Sequence, residues 1–291
     1  MHTQGDSTYL PTRDGRQLHA AVLPGPVDAP AGRPLVVFEA GAGGTRSTWG
    51  TTQPLLRDAT TTVAYDRSGL GRSEPDAADR TFGRMADDLN DLLDGLAAGD
   101  PDRRFVLAGH SLGGVISRLA ASRRPERIAG LVLVDPSEEG AEDVFRGNPE
   151  RRVAISKVVM RVLARTGLLR LLGGIAFRRL PADVRADLAA EATTPRAVAT
   201  MEQELATFYT ELASWRQSAP DLGGLPVTVI SGVKSGGLGA KVRLRVNEAH
   251  ARRAAASPHG RHVLAEESGH QVPLTEPALV AAEIRRMVEN A

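Results

Sequence analysis

Short apolar runs that end at a glycine, a serine or a proline recur along this chain of 291 residues. Four of them, "PLVVFEAG", "TTVAYDRSG", "RFVLAGHS" and "IAGLVLVDP", are continuous, as in strands buried on both faces of a parallel sheet. After the second run, "TFGRMADDLNDLLDGL" has apolar residues at helical spacing, with Thr81 as its predicted N-cap. Before all of them, the segment from about Tyr9 to Val22 alternates around "RDGR", which predicts a β-hairpin.

The alternation of strands and helices is interrupted once. Residues from about 138 to 218 contain no convincing strand and predict several helices, after which "LPVTVISG" and "RHVLAEES" resume the strand pattern. A helix near 240–255 separates these two strands, and a last helix follows near 276–289. Such alternation predicts an α/β fold with a mostly parallel sheet and helices on both faces. We therefore predict a core formed by 1–137 and 219–291, into which 138–218 is inserted as a helical cap.

Composition and charge narrow the classes of function. The net charge is +1, so no global field indicates a nucleic-acid partner. Cysteine is absent, which excludes disulfides, thiolate metal sites and a cysteine nucleophile. The polar N-terminus lacks the order of a signal peptide, and no apolar run approaches the roughly 20 residues that span a bilayer, so a cytoplasmic protein is expected. Only three of the 36 basic residues are lysine, and we interpret this preference for arginine as the coding bias of a high-GC bacterium.

The strongest chemical motif is "GHSLGG" at 109–114, which fits G-x-S-x-G with Ser111 at its centre. A sharp turn from a strand into a helix holds such a serine in strained geometry and lifts its hydroxyl above the sheet, and the glycines leave room for the chain. An apolar strand precedes the motif and a helix follows it, which is the context the chemistry requires. The simpler alternative is a glycine-rich helix start in which the serine is incidental.

Four motifs in order, "EAGAGG", "YDRSGLGRS", "GHSLGG" and "SGHQVPLTEP", make the chain resemble the α/β-hydrolase superfamily, and within it the serine esterases and lipases that carry a helical cap. The resemblance covers roughly 8–137 and 222–290. It implies that His270, in the loop after the last strand, takes the proton of Ser111 and later returns it to the leaving group. The resemblance implies no metal and no organic cofactor. Relatives that open epoxides or remove halogens attack with aspartate, so a serine speaks against those reactions.

The acid of the predicted triad is missing from its usual place. In most members of the superfamily a carboxylate follows the penultimate strand, but here the matching stretch "GVKS" ends in Ser235, which cannot supply the charge. The resemblance offers a second location, the end of the strand after the nucleophile helix, where "GLVLVDP" places Asp135. Asp135 is therefore the predicted acid, and Glu138 and Glu139 are the alternatives. Asp66, in "YDRSG", is expected to organise a turn.

The developing oxyanion needs preorganised donors. One is the backbone N–H of Leu112, directly after the nucleophile. By resemblance to the H-G-x loop of the superfamily, the second is the N–H of Ala42, and Glu39 is expected to tie that loop down. A phosphate-loop interpretation of "GAGG" fails because no lysine follows it.

In the predicted cap, Lys157, Arg161 and Arg165 lie four residues apart and share one helix face. The simpler interpretation is a helix with a solvated basic edge, and the sharper one is a lid over an acyl pocket that makes peripheral contact with a membrane.

The resemblance implies hydrolysis of a carboxylic ester, a lactone or a thioester of a hydrophobic small-molecule acyl substrate through an acyl-enzyme. Acyl transfer or cyclisation by the same atoms, and a non-catalytic ligand-binding role, stay open as alternatives. The oligomeric state stays open as well.

Overall fold

The structure is a computed structural model that describes residues 1–141, 159–171, 177–178, 180–235 and 239–291. Within the described residues, one sheet contains eight strands: β1 Asp6–Pro11, β2 Gln17–Leu23, β3 Leu35–Glu39, β4 Thr62–Tyr65, β5 Phe105–His110, β6 Ile128–Val134, β7 Val227–Gly232 and β8 Arg261–Ala265. They lie in the order β1-β2-β4-β3-β5-β6-β7-β8. The pairs β1–β2 and β2–β4 are antiparallel, and all other neighbours are parallel, which confirms the predicted fold class.

The continuous apolar runs form the centre of this sheet. Every residue of β4, β5, β6 and β7 is buried, because helices cover both faces of these strands. Strand β1 is at one edge of the sheet, and none of its residues is fully buried. Alternate residues point to opposite faces, so Val37 packs into the core on one side and Val36 into the core on the other.

Helices complete the two cores. Helices α1 (Phe82–Leu96) and α2 (Leu112–Arg123) pack on one face of the sheet, and α8 (Pro277–Glu289) packs on the other. The Thr81 hydroxyl accepts from the backbone N–H of Arg84 and caps α1 as the sequence predicts. Three short 3₁₀ helices cover Arg46–Trp49, Gln53–Leu56 and Pro125–Arg127. The α-helices are α1 Phe82–Leu96, α2 Leu112–Arg123, α3 Ala182–Glu191, α4 Pro195–Glu204, α5 Phe208–Ser214, α6 Ala240–Ala255, α7 Val272–Thr275 and α8 Pro277–Glu289.

The described residues of the predicted cap form helices joined by turns, and none of them is in a strand. Besides α3, α4 and α5 they include short helical segments at 159–165 and 168–171. Arg161 donates to Glu202 of α4 over 2.7 Å, whereas Lys157 lies outside the described residues. Across the described parts of the chain, no helix is both long and apolar enough to cross a bilayer. The exact borders of the cap stay a prediction.

Candidate active site

Ser111 occupies a strained turn between β5 and α2. Its backbone angles are φ 53° and ψ −119°, a region that residues other than glycine rarely adopt. A Cβ atom on Gly109 would lie 2.5 Å from the carbonyl oxygen of Gly113, and one on Gly113 would lie 2.3 Å from that of Glu39. Both distances are too short for a real side chain. The two glycines of the motif therefore let the turn, the helix and the loop after β3 approach one another closely.

The structure brings Ser111, His270 and Asp135 together from three separate parts of the chain. His270 follows β8, and its Nε2 lies 3.1 Å from the Ser111 Oγ. Its Nδ1 lies 2.7 Å from Oδ2 of Asp135, the residue directly after β6. Asp135 is buried, with 2% of its side chain exposed, whereas 43% of the His270 side chain is exposed. Serine, imidazole and carboxylate thus form one hydrogen-bonded line from solvent to the interior.

The two alternative acids lie elsewhere. Both Glu138 and Glu139 accept hydrogen bonds from Arg118 and Arg253, so each is engaged in a buried charge cluster. The carboxylate that contacts His270 is that of Asp135.

The loop where the acid is usually found still contributes to the candidate site. At the end of β7, the backbone N–H of Gly232 donates to Oδ1 of Asp135 over 3.0 Å. The main chain of one strand thus binds the carboxylate that its neighbour supplies, while Ser235 takes no part in the contact with His270. Asp66, which the sequence assigns to a turn, accepts the backbone N–H groups of Arg46 and Arg72 and is fully buried.

Two pKa shifts define the electrostatics around His270. Burial raises the pKa of Asp135, but the hydrogen bond from His270 and the nearby cationic groups lower it to about 2, so this carboxyl is ionised at neutral pH. Burial, with His270 close by, lowers the pKa of His110 to about 3. Neutral His110 donates from Nε2 to the backbone carbonyl of His270 over 2.8 Å. His110 therefore holds the backbone of His270 in place and adds no charge to the site.

A buried arginine organises the loop that carries Ala42. Arg67 uses all five of its N–H groups, which donate to the carboxylates of Glu39 and Glu204 and to the backbone carbonyls of Ala40 and Gly41. Each of these contacts is between 2.6 and 3.0 Å long. Glu39 thus has the loop-fixing role that the sequence predicts, and it acts through the arginine.

The contacts of Arg67 set the direction of the Ala42 N–H. In a trans peptide the N–H points opposite to the carbonyl, and the Gly41 carbonyl points at Arg67. The Ala42 N–H therefore faces away from the buried arginine. On the other side of Ala42, the Gly43 N–H donates to Glu204 over 2.8 Å. The candidate oxyanion donor is thus fixed from both sides, and one of the two anchors comes from α4.

Glu204→Gln is expected to lower kcat by about 10-fold to 10²-fold with little change in KM, because an oxyanion donor stabilises charge that exists only in the transition state. The amide cannot accept both N–H groups of the Arg67 fork, so the loop loses an anchor. Steady-state kinetics on an ester substrate measure the effect. Glu202→Gln is the matched control, since Glu202 is in the same helix but pairs with Arg161. Equal kinetics in the two variants would contradict the role of Glu204.

Two cavities meet at the candidate nucleophile. Their volumes are about 370 Å³ and 450 Å³, and both are lined by Ala42, Ser111 and His270. Leu112 lines the smaller one. A surface groove of about 650 Å³ lies between Gly167 and α3, away from these residues. The remaining lining is mostly apolar, with Phe208, Tyr209 and Leu212 in the smaller cavity and Met160, Phe177 and Met201 in the larger.

A family model described as "Alpha/beta hydrolase family" matches residues 36–283. The chain belongs to the α/β hydrolase family. A protein of Gibberella zeae named "AB hydrolase superfamily protein" is 28% identical over 315 residues, covering 97% of this chain and 94% of that protein. This α/β hydrolase is thus similar to that relative over nearly its whole length.

Solved structures confirm the fold. An esterase from Thermogutta terrifontis superimposes with a TM-score of 0.67 at 20% identity, covering 98% of this chain and 99% of that one. The epoxide hydrolase CorEH superimposes with a TM-score of 0.68 at 20% identity and the same coverage. An esterase and an epoxide hydrolase fit this α/β hydrolase equally well, so its fold does not select the reaction. Within the described residues, no group of three or more histidine, aspartate or glutamate side chains is arranged to hold a metal ion.

Four residues that contact the candidate site of this α/β hydrolase were missed by sequence reasoning. They are His110, Arg67, Glu204 and Arg243, and the last donates to Asp135 over 2.6 Å. The first two have a signal in the sequence, because each lies inside a motif, next to Ser111 in "GHSLGG" and next to Asp66 in "YDRSG". The other two lie in ordinary helical sequence and become visible only in three dimensions.

Proposed function

We propose that this protein is a serine hydrolase that cleaves a carboxylic ester, lactone or thioester of a hydrophobic small molecule. One observation carries the proposal: the unbroken line of hydrogen bonds from the Ser111 hydroxyl through His270 to the buried Asp135 carboxylate, with contacts of 3.1 and 2.7 Å. This is the geometry by which a neutral imidazole removes a hydroxyl proton while a carboxylate holds its tautomer.

In the proposed reaction the Ser111 Oγ attacks the substrate carbonyl as its proton passes to His270 Nε2. The N–H groups of Ala42 and Leu112 stabilise the oxyanion of the tetrahedral intermediate. Asp135 stays ionised and stabilises the imidazolium. His270 then returns the proton to the leaving alcohol or thiol, and an acyl group remains on Ser111. Water loses a proton to His270 and attacks this acyl-enzyme, which releases the acid and restores the serine.

The two cavities favour a substrate that is apolar on both sides of the scissile bond. Each is of a size that holds a small organic ligand, and each opens onto Ser111. Much of the lining comes from the predicted cap, including Phe208 and Leu212 on one side and Met201 on the other. We propose that the cap thereby selects the acyl group and the leaving group by shape and hydrophobicity.

A fluorophosphonate probe and a substrate panel test this function. The folded protein is expected to form one covalent adduct on the peptide that contains Ser111, located by mass spectrometry, because only an activated serine reacts with the probe. Medium-chain esters are expected to be turned over faster than acetates, because a longer acyl chain buries more apolar surface in the cavities.

The panel should include lactones and thioesters, together with a competing alcohol. Acid as the main product supports hydrolysis, whereas transfer of the acyl group to the alcohol would replace hydrolysis by acyl transfer. No adduct and no turnover in well-folded protein would contradict the proposal and favour a ligand-binding role.

A further inference from the structure

Helix α6 places three polar side chains against the turn that carries Asp135. Arg243, Asn247 and His250 are four and three residues apart, so they share one helix face. Arg243 Nη1 donates to Asp135 Oδ1 over 2.6 Å, and Asn247 Nδ2 donates to the Gly232 carbonyl over 3.0 Å. His250 Nε2 donates to the carbonyl of Pro136, the residue after Asp135, over 2.8 Å. Together these three side chains bind both strand ends beside the carboxylate.

The turn needs such support because its backbone is strained. Asp135 has φ 42°, in the left-handed region that side chains other than glycine rarely adopt. Its N–H donates to the Ile230 carbonyl over 2.7 Å. His250 is itself fixed by the Ser231 hydroxyl, 2.7 Å from its Nδ1, so the contact with Pro136 is rigid. Helix α6 therefore stabilises a conformation that aims the carboxylate at His270.

Arg243 adds a buried positive charge to this contact. Only 3% of its side chain and 2% of the Asp135 side chain are exposed, so water screens the pair weakly. Among the residues that the structure describes, the Arg243 Nε has no hydrogen-bond partner, a costly state for a buried donor. An arginine buried in this way contributes little to the stability of the folded state, because an apolar side chain of similar size would avoid the desolvation cost. Its placement on Asp135 points to a role in the chemistry of the site.

We propose that Arg243 is a positioning residue that fixes the Asp135 carboxylate and thereby sets the acid-side limit of the pH range in which the enzyme is active. This inference rests on the proposed function. The physical reason is that the Asp135 carboxylate attracts positive charge on the neighbouring imidazole, whereas the buried guanidinium repels it. Removing the guanidinium is therefore expected to narrow the active pH range on its acid side.

Other ionisable side chains lie around Asp135 and His270. Burial lowers the pKa of His110 to about 3 and that of His250 to about 4, so both are neutral in the assay range. Burial also lowers the pKa of the half-buried His262. In the described part of the chain, nearby charged side chains form ion pairs, Glu138 and Glu139 with Arg118 and Arg253, and Lys234 with Glu267. The Glu276 carboxylate accepts from the Ser268 hydroxyl.

The pH dependence of kcat/KM for an ester substrate tests the proposal in three variants. Arg243→Gln removes the charge, and the acid-side midpoint is expected to move up by about one pH unit, which is about tenfold lower activity below that midpoint. Arg243→Lys keeps the charge, so the midpoint is expected to stay while kcat falls with the loss of the rigid fork. Arg245→Gln makes the same charge change on the exposed side of α6 and should leave the profile unchanged.

An acid-side midpoint that is the same in Arg243→Gln and wild type would overturn the proposal, even if activity falls equally at every pH. Should the glutamine variant not fold, Arg243→Met makes the same test with a chain of similar length. Failure of the proposed function itself looks different: the wild-type enzyme would then neither react with a fluorophosphonate nor turn over esters. The rate of fluorophosphonate labelling at each pH gives a second readout that does not depend on the choice of ester.

Discussion

Asp135→Asn is expected to lower kcat/KM by about 10⁴-fold with the fold retained, because an asparagine imposes the wrong imidazole tautomer. Gly232 N–H and Arg243 both donate to Oδ1 of Asp135, so the single amide oxygen of asparagine will take that place. Its NH₂ group then faces Nδ1 of His270, which must become the acceptor. The imidazole proton moves to Nε2, where it blocks removal of the proton from Ser111.

Steady-state kinetics with circular dichroism on the same samples measure this effect. Glu139→Gln is the comparison that separates the two candidate acids, since Glu139 pairs with Arg118 and has no contact with His270 in the described structure. It is expected to stay within a few-fold of wild type. Turnover near the wild-type rate in Asp135→Asn, or a comparable loss in Glu139→Gln, would remove Asp135 from the proposed triad.

Ser111→Ala is expected to lower kcat by about 10⁶-fold, because no acyl-enzyme can form. The strained turn should survive, since alanine places the same Cβ atom at φ 53° and adds no new contact. Residual activity above the uncatalysed rate is expected from the oxyanion donors and from binding alone. The substitution thus separates the covalent contribution from the electrostatic one.

Pre-steady-state kinetics check this result most directly. Wild type is expected to show a burst of the first product, whereas Ser111→Ala should show none, and ester binding should be unchanged. Ser122→Ala, in the helix that follows Ser111, serves as the control and should retain full activity, since the Ser122 hydroxyl donates to the Leu119 carbonyl. A burst in Ser111→Ala would mean that another residue is the nucleophile.

The sequence predicted the parts of this protein that local pattern determines. Continuous apolar runs predicted strands such as β5 and β6, because only burial on both faces requires such runs. Because Ser235 cannot supply a carboxylate, the sequence predicted Asp135 as the acid. In the structure Oδ2 of Asp135 lies 2.7 Å from Nδ1 of His270. Motif spacing was sufficient here because the ends of adjacent parallel strands lie side by side.

Contacts between distant parts of the chain could not be predicted in the same way. Arg243 is 108 residues from Asp135, and nothing in the sequence of a long helix says which of its arginines turns inward. Glu204 is likewise 137 residues from Arg67, in a region whose helices have no register that the sequence alone defines. Such pairs depend on how helices dock, and docking is set by shape over a whole surface rather than by a motif.

The position of Glu204 has a consequence for protein engineering. Segments inserted after a strand of this fold are attractive units to graft between relatives in order to change substrate range. Here Glu204 of α4, in the segment predicted to be an insertion, supplies a carboxylate that accepts two hydrogen bonds from the buried guanidinium of Arg67. A transplanted segment without an acid at that point would leave two N–H groups of Arg67 and the N–H of Gly43 without their acceptor, beside the loop that carries Ala42. Chimeras of this protein should therefore carry the glutamate with the graft, or replace the arginine in the recipient.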